Sequence, residues 1–95
     1  MNYYFIAQIR IKNENEYQRY IDKSGDIFSK YKGEYLSVDN EPVILEGKWD
    51  YNRTVLIKFC SKTDFDDWYN SDEYQKIIKY RLASADCDTV LIKGL

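Results

Sequence analysis

The chain has 95 residues, 14 Lys and Arg against 16 Asp and Glu, and a net charge of −2. That is one small domain spanning residues 1–95, near the lower end of the common size range, and too short to bury more than about 60–65% of its unfolded surface alone. No apolar run approaches the length of a membrane span, no basic face gathers for nucleic acid, and the Met1–Ile6 start lacks the basic segment of a secretory signal.

Residues 3–11 alternate as a strand, with Phe5, Ala7, Ile9 and Ile11 on one face and Tyr4, Ile6, Gln8 and Arg10 on the other. Asn13 and Glu16 make a capping-box-like start to a helix. Its stripe runs through Tyr17, Tyr20, Ile21, Ser24, Phe28 and Tyr31, and Gly33 reads as its C-terminal cap. Gly25 weakens the middle of this helix by up to about 1 kcal/mol relative to Ala. Residues 34–38 form a second strand. Pro42 interrupts it, and Val43-Ile44-Leu45-Glu46 either continues it or adds a short partner.

Gly47 to Asn52 is a turn region. Residues 53–60 form a third strand, apolar enough for the middle of a sheet, with Cys60 expected as a small buried hydrophobe at its end. Ser61 and Asp64 cap a short helix carrying Phe65, Trp68 and Tyr69. Ser71 caps another, with Asp72 and Glu73 in its first turn where the helix dipole favours acids, and with Tyr74, Ile77, Ile78, Arg81 and Leu82 along it. Thr89 to Ile92 is the last strand.

The order βαββαβ predicts an α+β, ferredoxin-like fold: a four-stranded antiparallel sheet with helices on one face. The other face keeps Tyr4, Ile6 and Leu56, and leaving apolar area in water costs about 25 cal/mol per Å². The expected remedy is a homodimer packed sheet to sheet.

The sequence contains no histidine, which excludes Ser-His and Cys-His couples and histidine-ligated metal. Acid–base work would fall to Asp, Glu, Lys or Tyr. The two cysteines, Cys60 and Cys87, stand far apart in no ligand spacing and read as free thiols in a reducing, cytoplasmic compartment. No metal and no cofactor is implied.

Both tryptophans and two of the four arginines fall in or just beyond two segments: Glu46-Gly47-Lys48-Trp49-Asp50-Tyr51-Asn52-Arg53, and Trp68-Tyr69-Asn70-Ser71-Asp72-Glu73-Tyr74-Gln75 with Arg81 beyond it. In that order and spacing they resemble the domain-of-unknown-function family 1330 along nearly the whole chain. The resemblance implies a soluble bacterial protein with a dimeric α+β barrel fold. Barrels of that kind include cofactor-free monooxygenases, haem-degrading enzymes and isomerases, the haem version being disfavoured here by the missing histidine.

Arg81 shares the packing stripe of Tyr74 and Ile78, and a buried guanidinium needs an anionic or carbonyl partner. One reading is a fork for a ligand oxygen; the other is an internal salt bridge or a cap on the helix's own carbonyls. Trp68, Tyr69 and Tyr74 with the Ser71 cap converge on one helix start, either as ligand walls or as plain packing. Arg53 either pairs with Glu46 across the turn or stands at a pocket mouth, and Trp49 is expected at the dimer interface. The function these residues imply is a small-molecule-binding homodimer for a small anionic or carbonyl ligand, with or without cofactor-independent catalysis. The rival is a non-catalytic structural protein whose aromatic and Arg residues serve only the dimer and core.

Overall fold

A computed structural model describes all of residues 1–95. The elements run β1 (Tyr3–Ile11), α1 (Glu14–Phe28), β2 (Gly33–Asp39), β3 (Arg53–Phe59), α2 (Lys62–Tyr69), α3 (Asp72–Ser84) and β4 (Ala85–Lys93). The four strands form one sheet in the order β2-β3-β1-β4, every neighbouring pair antiparallel. This is the ferredoxin-like arrangement, with the second crossover divided between α2 and α3. No helix is long and apolar enough to cross a membrane.

All three helix starts are set by side-chain caps. Asn13 Oδ1 accepts the Glu16 N–H at 3.0 Å, Ser61 Oγ that of Asp64 at 3.0 Å, and Ser71 Oγ that of Tyr74 at 3.2 Å. Each satisfies one of the N–H groups that a helix start leaves without an internal partner. The break at Asn70 divides the second crossover because Ser71 receives the next helix's N–H while donating to Trp68 O at 2.8 Å.

The core lies between one sheet face and the helices. Phe5, Ala7 and Ile9 of β1 and Val55, Ile57 and Phe59 of β3 alternate inward, as their period of two requires. Against them pack Tyr17, Ile27 and Phe28 of α1, Phe65 and Trp68 of α2, and Tyr74, Ile77 and Ile78 of α3. Trp68 is the hub: its ring lies 5.6 Å from Phe5, 5.5 Å from Phe28 and 4.4 Å from Tyr74. The opposite face has no helix. Tyr4, Ile6 and Leu56 are half-buried there, and Val90 and Ile92 are exposed.

Four local expectations are corrected. Helix α1 ends at Phe28 with Ser29 as its cap, so Tyr31 lies beyond it, and Gly33 is not the cap. Gly33 opens β2 at a point of close approach, where a Cβ would sit 2.4 Å from Phe28 Cζ and 2.8 Å from Phe59 Cε1. Val43 to Glu46 joins no strand; Val43 is 85% and Leu45 88% exposed, because past Pro42 the segment leaves the sheet edge. Cys60 falls just outside β3 and is exposed. β4, by contrast, is longer than its apolar run: Asp86 and Asp88 belong to it and are held by Arg10 and Tyr51.

Candidate functional site

Between the inner sheet face and α1 and α3 lies a cleft of about 230 Å³. Its floor is Phe5, Ala7 and Ile9 with Val55 and Ile57; its roof is Tyr17, Tyr20, Ile21, Ser24 and Gly25 of α1. Trp68, Tyr74 and Arg81 enter from the α2–α3 side, and Tyr35, Val38 and Arg53 from the β2–β3 side. Gly25 is the weak point of α1, and with no atom within 4 Å of where its Cβ would be it leaves part of the roof open.

The electrostatics of the cleft are one-signed. Two guanidinium groups border it and no carboxylate does. Arg81 is 3% exposed. It projects inward because it follows Tyr74, Ile77 and Ile78 along the buried stripe of α3. None of the seven ion pairs of the chain includes Arg81 or Arg53. The internal salt bridge that was one reading of Arg81 is therefore not formed, nor is a pair between Arg53 and Glu46. Arg53 donates to Asn40 Oδ1 at 3.3 Å and lies 5.7 Å from the Tyr17 ring centroid; Arg81 lies 5.8 Å from that of Tyr20.

Five buried side-chain polar atoms have no hydrogen-bond partner, and three belong to residues that line the cleft: Arg53 Nε, Trp68 Nε1 and Arg81 Nε. All three are donors. A buried donor left unpaired costs about 1–3 kcal/mol, more when it is charged, so such groups in a native fold call for an explanation.

Tyrosines complete the polar lining. The Tyr20 and Tyr74 hydroxyls share a hydrogen bond of 2.7 Å. Burial pushes the Tyr74 phenol up to about 12, against the pull of Arg81 and of the Tyr20 hydrogen bond. Burial also raises Tyr20 well above the ordinary range, with the Tyr74 oxygen adding to it. Tyr17 is raised by burial while Arg53 and Arg81 oppose the shift. These phenols stay protonated at neutral pH and serve as donors; none is tuned to act as a base near neutrality. Burial works against the charge on Arg81, and the oxygens of Tyr74 and Tyr20 offset it, so its pKa remains above the usual arginine value. Cys87 of β4 is half-buried next to this group, its thiol raised by burial and pulled back by Arg81.

Of the residues singled out in the sequence, Arg81, Trp68, Tyr74 and Arg53 meet in the cleft. Tyr69 and Ser71 do not border it. Tyr69 stacks on Phe65 at 5.1 Å and supports the wall from behind. Ser71 faces an outer groove of mixed charge, with Asp64, Asp67, Asp72 and Glu73 beside Lys30, Lys32 and Lys76, separate from the cleft. Trp49 is half-buried in the β2–β3 connection, edge-on to Tyr51 at 5.5 Å and away from the cleft. Tyr17 and Tyr20 also line the cleft, which the sequence does not single them out for. Their spacing fits the packing stripe of α1, and the sign of a second role is that Tyr17, Tyr20 and Ser24 put three polar groups on that stripe.

A ferredoxin-like α+β domain with a cationic, phenol-lined cleft under its helices is the class that fold and site define. The chain belongs to the family described as Domain of unknown function (DUF1330), whose model matches residues 2–95. No curated protein matches it in sequence. Among solved structures it is similar to a protein of unknown function from Rhodopseudomonas palustris, at 18% identity and a TM-score of 0.84, covering 99% of this chain and 82% of that one. It is also similar to a dimeric ferredoxin-like protein of unknown function from Jannaschia sp. CCS1, at 12% identity and TM-score 0.73, covering 99% and 100%. A third is SnoaB, a cofactor-independent oxygenase from Streptomyces nogalater, at 9% identity and TM-score 0.70, covering 99% and 93%. At these identities the likeness is one of fold.

Proposed function

We propose that this protein is a homodimer that binds a small organic anion or carbonyl compound in the cleft of each subunit. Arg81 holds an oxygen of the ligand, Arg53 stands at the entrance, and Trp68 and Tyr74 form the apolar wall. The observation that carries this reading is a guanidinium 3% exposed with no carboxylate of the chain to pair with. A purely structural arginine in a core would be accompanied by an acid, because removing a lone charge from water is among the most costly acts in folding. The apolar lining asks for a ligand with a hydrophobic body, and 230 Å³ asks for a small one, since pockets for drug-sized ligands measure about 300–1,000 Å³. Tyr69 backs the wall, and Ser71 fixes the start of α3 so that Tyr74 and Arg81 point into the cleft.

The dimer is supported by the helix-free sheet face. Ile6 and Leu56 face each other across β1 and β3 there, with Val90 beside Ile6 on β4. The Jannaschia neighbour described as dimeric supports it too. Trp49, in the connection that reaches that side through Asp50 and Tyr51, is assigned to the contact. Cofactor-independent catalysis on the bound carbonyl or acid is the second reading. It is favoured by the protonated Tyr20–Tyr74 pair beside Arg81, which would donate to an oxygen gaining charge, and by the fold shared with SnoaB.

Thermal-shift screening against aromatic acids, keto acids and polyketide-like compounds tests the binding. Native-state binding raises stability by RT ln(1 + [L]/Kd), so a compound at 100 times its Kd gives about 2.7 kcal/mol. A screen flat for every oxygen-bearing aromatic would count against a ligand cleft, and a monomer by light scattering at micromolar concentration would refute the dimer.

A further inference from the structure

The three residues that carry the unpaired donors differ in exposure. Arg81 and Trp68 are nearly inaccessible, at 3% and 2%. Arg53 is only half-buried, and it borders both the cleft and a groove on the outer surface formed with Ile11, Glu14, Gln18 and Asn52. Tyr17 and Ile21 likewise border both spaces, which puts the mouth of the cleft at Arg53. Arg81, by contrast, sits inside beside the Tyr20–Tyr74 hydroxyl pair. The two cations are close enough for both to act on the Tyr17 phenol. Between them the floor is Ala7, Ile9 and Val55, which offer no hydrogen bonds.

We infer that the ligand is a two-ended molecule: a short aromatic or similarly flat apolar body carrying an acidic or carbonyl oxygen at each end. One end is held inside by Arg81 and the Trp68 N–H, and the other at the mouth by Arg53. This rests on the cleft being a binding site at all, and it narrows that reading from a small anion to a bifunctional one. Three points of the structure converge on it. Every unpaired buried polar atom of the cleft is a donor, so the complementary ligand offers acceptors. The residues that carry them fall at two levels, two deep in the core and one at the mouth. Two like charges, with no carboxylate lining the cleft itself and only Glu14 in the outer groove, are balanced better by two oxygen anions than by one, since each guanidinium favours its own planar, bidentate partner.

The test is calorimetric titration of the full-length protein with a matched pair, 3-phenylpropionate and its para-carboxy derivative, 3-(4-carboxyphenyl)propionate. The wild type is expected to bind the diacid at least tenfold more tightly. Arg53→Met should bring the diacid down to the affinity of the monoacid, and Arg53→Lys should keep part of the preference, as a point charge without the fork does. Arg81→Met should weaken both acids. Circular dichroism and the Tm of each variant confirm folding. Equal affinity for the two acids, or an Arg53→Met protein that keeps the preference, overturns the two-ended ligand and leaves the binding cleft standing. Failure of both acids to bind the wild type overturns the cleft reading and this inference with it.

Discussion

Arg10 and Arg81 show two opposite treatments of the same side chain. Arg10 lies on the outside of the sheet and bonds the carboxylates of both Asp50 and Asp86, while Lys12 reaches Asp86 at 3.1 Å. The Asp86 hydrogen bond is the main reason its pKa is raised, and the same contact lowers that of Asp86. Arg81 is buried and has no acid at all. The protein therefore surrounds with counter-charges the cation that water already solvates, and leaves bare the one that water cannot reach. Exposed pairs of the first kind contribute little to stability. An isolated charge of the second kind subtracts from it. The pattern is backwards for stability and makes sense for recognition: proteins retain such strained, polar interiors where binding needs them.

The largest expected effect in the interior is a control. Trp68→Ala removes the ring that joins both sheet and helices, and should cost about 3–5 kcal/mol in urea unfolding. A loss of ligand binding in that variant would not be specific. Arg81→Met is the variant that sharpens the comparison. It keeps the volume and removes the charge, so the ligand response should disappear while the unliganded protein gains stability, by about 1–4 kcal/mol if it behaves as other buried charges replaced by apolar groups do. A destabilised Arg81→Met protein would show instead that Arg81 supports the fold.

Alkaline pH gives the next effect. Tyr74 is buried and its phenol is raised from the ordinary value near 10 to about 12. A raised folded-state pKa means that the neutral phenol is favoured by folding. Its contribution is complete below pH 10 and is lost as the pH climbs from 10 towards 12, a change on the order of 2 kcal/mol. Stability should fall through that window, with Tyr20 adding in the same direction, and Tyr74→Phe should flatten the fall. Gly25→Ala should be stabilising by about 0.5–1 kcal/mol, since the position is helical and has room for the methyl. Gly25 also forms part of the cleft roof. The same variant should bind the larger acids less well, a gain in stability set against a loss in binding. Smallest of all is Arg10→Gln, whose Tm should stay close to wild type and whose ligand response should not change.

Most of the architecture was legible because it rests on local chemistry. Asn13, Ser61 and Ser71 each place a side-chain acceptor where a helix start needs one, and the alternation in β1 and β3 tells which face is buried. The departures also have physical causes. Gly33 looks like a helix cap from its place after Tyr31, but its role is to let two phenylalanine rings meet over its missing Cβ, a contact between residues far apart in sequence. Val43 to Leu45 has strand composition and no strand to pair with. Asp86 and Asp88 suggest a loop by propensity, yet cross-sheet bonds to Arg10 and Tyr51 bring them into β4. In the cleft, Arg81 was recognisable from its place on the apolar stripe of α3. The companion role of Tyr20 was not, since only the packing of α1 against α3 brings its hydroxyl 2.7 Å from that of Tyr74.

The central claim is that Arg81 is kept for a ligand at the expense of stability. Urea unfolding of the wild type and of Arg81→Met, each with and without saturating 3-phenylpropionate, tests it directly. The account predicts that the variant unfolds at a higher urea concentration than the wild type when both are unliganded, and that only the wild type is stabilised further by the acid. A variant that unfolds at a lower concentration and still responds to the acid as the wild type does would contradict it.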